Sequence, residues 1–320
     1  MQTILVAGGA GMAGASILQR LQDCCPDARL VATIHHSAPL VPSPRIEYRR
    51  ADLTTRQGCQ AATAGCDAAV LAAARGGGVG SAAQPHLQVT DNLVMDTLLL
   101  DACVEAGVKR LVYLSSATVY QEREGLVRED DLDLNQDPHP AYKGVGWAKR
   151  AAEKLCGFWR EKYGLEAVVA RCANIYGPFA RFDPANSNFI PAIIRKAAEG
   201  MDPFEVWGSP EVRRDVIYAE DFAEAVARLL LARDIPGGVF NLGSGEPVSV
   251  GQVVDLALAA AGHVPSQIRY QSDRPTAISW RALDCTRLQN ALGWRPAIGL
   301  AEGIRRTLVW WLANRGTWTR

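Results

Sequence analysis

Thr3-Ile4-Leu5-Val6-Ala7-Gly8-Gly9-Ala10-Gly11-Met12-Ala13-Gly14 decides the fold. The apolar run Thr3–Ala7 predicts a strand, and Met12–Gln22 predicts an amphipathic helix. Gly8, Gly11 and Gly14 fall three apart between them. The first permits a tight turn, the second lets the backbone approach a pyrophosphate, and the third lets helix pack on strand. Such a helix start offers free N–H groups and the positive end of its dipole to phosphate. The stretch therefore predicts a dinucleotide site, with Met12 at the first helical position.

Beyond the turn, strand and helix patterns alternate. Arg29–Ile34, Ile46–Arg50, Ala68–Ala73, Arg110–Ser115 and Ala167–Arg171 read as strands. Arg56–Thr63, Pro85–Ala106 and a long segment from Tyr142 to Tyr163 read as helices. This order predicts an α/β protein with a doubly wound parallel sheet (Rossmann) and a smaller mixed α/β substrate domain. The dinucleotide domain is expected over 1–176, with 215–243 returning to it. The substrate domain is expected over 177–214 and 244–320, ending in a helix near Leu300–Asn314.

Composition narrows the function. Lys and Arg total 34, as do Asp and Glu, so no cationic excess exists to neutralise a nucleic acid. No apolar run approaches the ~20 residues of a bilayer span. The first residues run straight into a strand, so neither a signal peptide nor a membrane association is expected. The eight cysteines show no metal-ligand spacing and read as reduced core thiols of a cytoplasmic protein.

Further segments carry a resemblance. Asp52-Leu53 is similar to an adenine-bordering pair, and Leu71-Ala72-Ala73-Ala74 to a strand end lining the cofactor. Leu114-Ser115-Ser116-Ala117-Thr118-Val119-Tyr120 resembles a catalytic-serine strand. Arg171-Cys172-Ala173-Asn174-Ile175-Tyr176-Gly177-Pro178 resembles the junction to a substrate domain, with Asn174 facing both ligands. Arg214-Asp215 with Tyr218-Ala219-Glu220-Asp221 resembles a phosphate-contact segment, and Leu292-Gly293-Trp294-Arg295-Pro296 also matches. Together these resemble the extended short-chain dehydrogenases/reductases, the NAD-dependent epimerase/dehydratase family, over nearly the whole chain. Arg75-Gly76-Gly77-Gly78, Asn186-Ser187-Asn188-Phe189-Ile190-Pro191 and Val206-Trp207-Gly208-Ser209 are similar to its GDP-L-fucose synthase branch. The resemblance implies hydride transfer on a nucleotide sugar, in an epimerase, a reductase or a dehydratase. The rival reading is a degenerate homologue that binds both ligands without redox chemistry.

The second predicted strand ends Thr33-Ile34-His35-His36-Ser37, without the carboxylate that would hydrogen-bond an adenosine 2′-OH. NADP is therefore expected over NAD, with His35 or His36 either touching the 2′-phosphate or standing solvated. The resemblance also implies a Ser/Thr pair, at Ser116 and Thr118, and a Tyr and Lys four apart on one helix. Gly146-Trp147-Ala148-Lys149-Arg150 matches the family motif and makes Lys149 its lysine, holding the cofactor ribose. Val145 then occupies the tyrosine position. Tyr142 lies ~10.5 Å before Lys149 along a regular helix, so direct replacement needs distortion near Gly144 and Gly146. His139 and Cys172 are the other candidate acid/bases. The fucose-synthase-type proton donor is Asn188 here, and the partner cysteine falls near Thr118, which argues against two-site epimerisation. The Asp-Glu pair of 4,6-dehydratases is replaced by Ala117-Thr118.

On the substrate side, Arg214 and Arg281 are expected at a diphosphate. Trp207 either stacks on the base or fills the small domain. Arg75 and Arg181 are either phosphate ligands or solvated charges. A homodimer is expected through the two long helices, by way of Leu93, Leu98, Leu99, Ala151, Leu155 and Phe158.

Overall fold

The structure is a computed structural model that describes residues 2–76, 85–235, 237–271, 278–316 and 318, with the backbone alone for 85–88. Gly77 and Gly78 of the glycine-rich resemblance lie outside the described residues. The amino-terminal part contains β1 (Thr3–Ala7), α1 (Met12–Cys24), β2 (Arg29–Ile34), β3 (Ile46–Arg50), α2 (Arg56–Thr63), β4 (Ala68–Leu71), α3 (Pro85–Glu105), β5 (Arg110–Ser116) and β6 (Gly125–Val127). α4 (Lys143–Tyr163), β7 (Glu166–Cys172), β8 (Asn174–Tyr176), α5 (Phe189–Ala198), β9 (Phe204–Trp207) and β10 (Arg213–Tyr218) follow. The chain continues through α6 (Ala219–Leu231), β11 (Gly238–Leu242), β12 (Pro247–Ser249), α7 (Val250–Ala261), β13 (Ile268–Gln271), β14 (Trp280–Leu283), α8 (Thr286–Leu292) and α9 (Leu300–Asn314).

Seven strands form one parallel sheet in the order β11-β7-β5-β4-β1-β2-β3. Its inner strands are largely apolar on both faces, as burial on both sides requires, while the edge strand β3 carries Glu47, Arg49 and Arg50. Ile4, Val6, Val70, Val112 and Val168 face α1 and α6. Leu5, Ala69, Leu111, Tyr113 and Val169 face α2, α3 and α4. The order reverses between β1 and β4, so a crevice opens beyond their carboxyl ends. β4 stops at Leu71 rather than Ala73, and β5 runs on through Ser116.

The second body of structure is mixed. β12, β10, β14 and β6 form a sheet, β8 joins β10, and β12 alone of these runs antiparallel. β13 and β9 make a separate pair. α5, α7 and α9 cover a core that includes Phe182, Phe204, Ile193, Val253 and Trp311. Within 215–243, β10 lies in this smaller sheet, and α6 and β11 pack on or join the large one. All eight cysteines are free, six of them buried. No helix among the described residues is long and apolar enough to cross a membrane.

Candidate active site

Two clefts open at the carboxyl ends of the parallel strands. The first, about 240 Å³, lies at the reversal point between β1 and β4 and is bordered by β2. Gly8, Gly11, His35, His36, Asp52, Leu53 and Ala72–Ala74 line it. Gly8 has φ +91°, and a Cβ there would stand 2.7 Å from the Ala73 backbone. Gly14 lies behind the turn, where a Cβ would come within 2.3 Å of the Gly8 carbonyl oxygen. α1 starts with no side-chain cap and no acid in its first turn, so its leading N–H groups suit a diphosphate. These residues fit a dinucleotide. Met12 opens α1 but packs against the core of the smaller body. The Asp52 carboxylate accepts from Thr54 N at 3.0 Å and Thr54 Oγ1 at 2.7 Å, which holds its pKa below the usual range.

Arg75 also borders this cleft, where it pairs with Asp91 at 2.8 Å. The structure thus sets Arg75 apart from the substrate pocket where the sequence suggested it. Arg181 is exposed and donates to the Gly76 carbonyl at 3.3 Å.

The second cleft is a cavity of about 130 Å³ beyond β5 and β7. Ser116, Thr118, Tyr142, Asn174, Arg214 and Arg281 line it, with Cys172. Ser116 ends β5 and caps the tight turn Ala117–Val119, its Oγ accepting from Thr118 N at 3.2 Å. Thr118 Oγ1 and Arg281 Nη1 are both buried without a hydrogen-bond partner among the described residues. Arg214 Nη1 donates to the main-chain oxygens of Arg213 and Ile278, at 2.8 and 2.5 Å. Neither guanidinium has an ion pair among the described residues, and burial lowers the pKa of both. Asp215 borders the cavity too, but its oxygens are taken by the N–H groups of Leu283, Ser244 and Gly245. A buried and a half-buried guanidinium with no counter-ion among the described residues form a receptor for an anionic ligand.

Tyr142, Asn174 and Arg214 also belong to an adjoining cleft of about 430 Å³, with Asn188 and Trp207. Asn188 stands at the start of α5 without capping it. Trp207 is 52% exposed, so its indole forms the cleft wall and fills no core.

The motif helix departs from expectation. α4 is regular through Gly144 and Gly146, and its glycines serve contact instead of distortion. A Cβ on Gly144 would stand 2.6 Å from Val89 Cγ2, and one on Gly146 2.5 Å from the Thr118 carbonyl oxygen. Tyr142 precedes the helix at the end of the turn Pro140–Tyr142 and lines the arginine cavity. Lys149 is buried and does not line that cavity. Its Nζ lies 2.9 Å from Tyr113 Oη and 3.5 Å from Asp96 Oδ2, and Tyr113 Oη donates to Asp96 at 2.6 Å. A distorted helix start bringing Tyr142 to Lys149 is therefore corrected: the cations facing Tyr142 are Arg214 and Arg281. Of the other candidates, burial pushes the Cys172 thiol up to about 12. His139 spends Nδ1 accepting from Ala141 N at 3.1 Å, outside the cavity. Asp96 and Tyr113 escaped the reading of the sequence. The one signal was an acid, Asp96, set among Met95, Leu98, Leu99 and Leu100.

Known proteins share this architecture. The model of the NAD dependent epimerase/dehydratase family matches residues 4–243. A putative GDP-L-fucose synthase 2 of Oryza sativa subsp. japonica is 31% identical over 94% of this chain and 84% of that protein. A GDP-mannose 3,5-epimerase 1 of the same subspecies is 31% identical over 82% of this chain and 69% of that protein. Among solved structures, the UDP-glucose 4-epimerase of Thermus thermophilus in complex with NAD superposes with a TM-score of 0.82 at 26% identity. The match covers 99% of this chain and 100% of that one.

Proposed function

The chain belongs to the NAD dependent epimerase/dehydratase family, and from that membership we propose that it is a nicotinamide-dependent enzyme acting on the sugar of a nucleotide sugar. Reduction of a carbonyl is the reaction its residues support best. One observation carries this reading: Thr118 Oγ1 and Arg281 Nη1, both buried and unpartnered, open onto one cavity with Tyr142 and Ser116. The bound nicotinamide would supply the hydride that reaches the carbonyl carbon. Ser116 and Thr118 orient the carbonyl oxygen by hydrogen bonds, and Tyr142 delivers the proton that oxygen needs. Arg214 and Arg281 hold the diphosphate, Asn174 borders the sugar, and Trp207 flanks the base. Lys149 holds the cofactor ribose, its ammonium oriented by Asp96 and Tyr113. Asn188 and Thr118 offer no acid/base pair for inverting a sugar carbon, which favours simple reduction over epimerisation.

The same reading includes NADP over NAD, because 33–37 carry no acid. It also includes a homodimer, and a cytoplasmic setting for eight unpaired thiols. A second reading, ligand binding without redox chemistry, is favoured by Val145 at the motif position and by Lys149 turned to Asp96. Nicotinamide absorbance with nucleotide-linked keto sugars separates the two. Oxidation of NADPH on adding such a sugar supports the enzyme. Calorimetric binding of both ligands with no absorbance change supports the second reading.

A further inference from the structure

We propose that Arg50 selects the cofactor by gripping the 2′-phosphate of an adenosine ribose. The inference rests on the reading of the first cleft as a dinucleotide site. β2 and β3 pair in parallel with Ile34 opposite Arg50, so the two strands end side by side. Arg49 turns to the α2 face, where Nη1 donates to the carbonyls of Ala62 at 2.9 Å and Ala64 at 2.8 Å. Strand alternation sends Arg50 to the opposite face. There its guanidinium donates to the main-chain oxygen of His35, on the rim of the cleft.

In this topology the adenosine ribose lies at the end of the second strand, where an acid would hydrogen-bond the 2′-OH and repel a phosphate. No acid stands at 33–37. The one carboxylate lining the cleft among the described residues is Asp52, already engaged by Thr54. Arg50 is exposed and has no ion pair among the described residues, so its remaining N–H donors are open to a dianion. The His35 and His36 rings, 3.7 Å apart between centroids, line the same cleft and offer a second surface for that group. A planar guanidinium suits a phosphate by paired, charge-assisted hydrogen bonds.

Calorimetry with adenosine 2′,5′-bisphosphate and adenosine 5′-monophosphate reads the contact without any need for turnover. The wild-type protein is expected to bind the bisphosphate more tightly. Arg50→Met should weaken the bisphosphate by roughly tenfold or more, as loss of a charge-assisted bond does, and leave the monophosphate unchanged. Arg50→Lys should keep part of the preference. A bisphosphate affinity unchanged in Arg50→Met overturns the assignment while leaving the dinucleotide cleft standing. Failure of the wild-type protein to bind either nucleotide overturns the cleft reading, and Arg50 with it.

Discussion

Val145 stands one helical turn before Lys149, and a valine can move no proton. The same turn shows why Lys149 is retained. Its side chain is 9% exposed and its ammonium lies against Asp96, itself 7% exposed, with the Tyr113 hydroxyl hydrogen-bonded to both. Burial and the neighbouring Asp96 charge push the Tyr113 pKa well up, so the phenol stays protonated as a donor. Removing one partner of a buried ion pair leaves the other charge uncompensated, at a cost of about 3–5 kcal/mol. Asp96→Asn is therefore expected to lose stability on that scale in urea unfolding, and Lys149→Met to recover part of it in the double variant. Strict additivity of the two single changes would contradict the pairing. Lys149 was legible because its neighbours Gly146-Trp147-Ala148 and Arg150 carry a motif. Asp96 was not, because its partner is distant in sequence and only the packing of α3 on α4 brings them together.

At the scale of elements, α3 and α4 do two jobs. Their inner faces close over the large sheet through Leu99, Leu100, Ala152 and Cys156. Their outer faces leave Val94 36% and Phe158 46% exposed, next to the half-buried Leu93, Leu98 and Leu155. Leu99, expected at a subunit seam, is buried in its own protomer's core and cannot serve one. The proposed homodimer would pair these apolar stripes with their symmetry mates across a two-fold axis. Light scattering at micromolar concentration should give twice the chain mass, and Phe158→Glu should shift it to the monomer. A monomeric wild-type mass would contradict the seam. Helix periodicity marked both elements correctly, but period alone assigns no face to the core when apolar residues run nearly all round α3.

For the whole molecule, local pattern predicted the large sheet well because each strand–helix unit is nearly self-contained. Leu5 and Val6, or Val169 and Ala170, are buried on opposite faces of the sheet, which the sequence already carries as unbroken apolar runs. The smaller body was harder to read. β6, β8 and β14 are short, and their partners lie far away along the chain, as Gly125 and Arg281 do. The pairing of β10 with β14 sets Arg281 opposite Arg214, and both line the anion cavity. The sequence suggested Arg214 at a diphosphate by resemblance, with Arg281 able to join it. Their placement around Tyr142 was not legible, since it depends on how the two sheets close on one another. The central claim is that Tyr142, in this cavity, replaces the motif tyrosine as proton donor. The measurement that tests it most directly is the rate of nicotinamide oxidation on a nucleotide-linked keto sugar in wild type and Tyr142→Phe, with cofactor affinity measured alongside. The account predicts a loss of about 10²–10⁴-fold, the usual worth of general acid assistance, at unchanged cofactor affinity. An undiminished rate in Tyr142→Phe would contradict it.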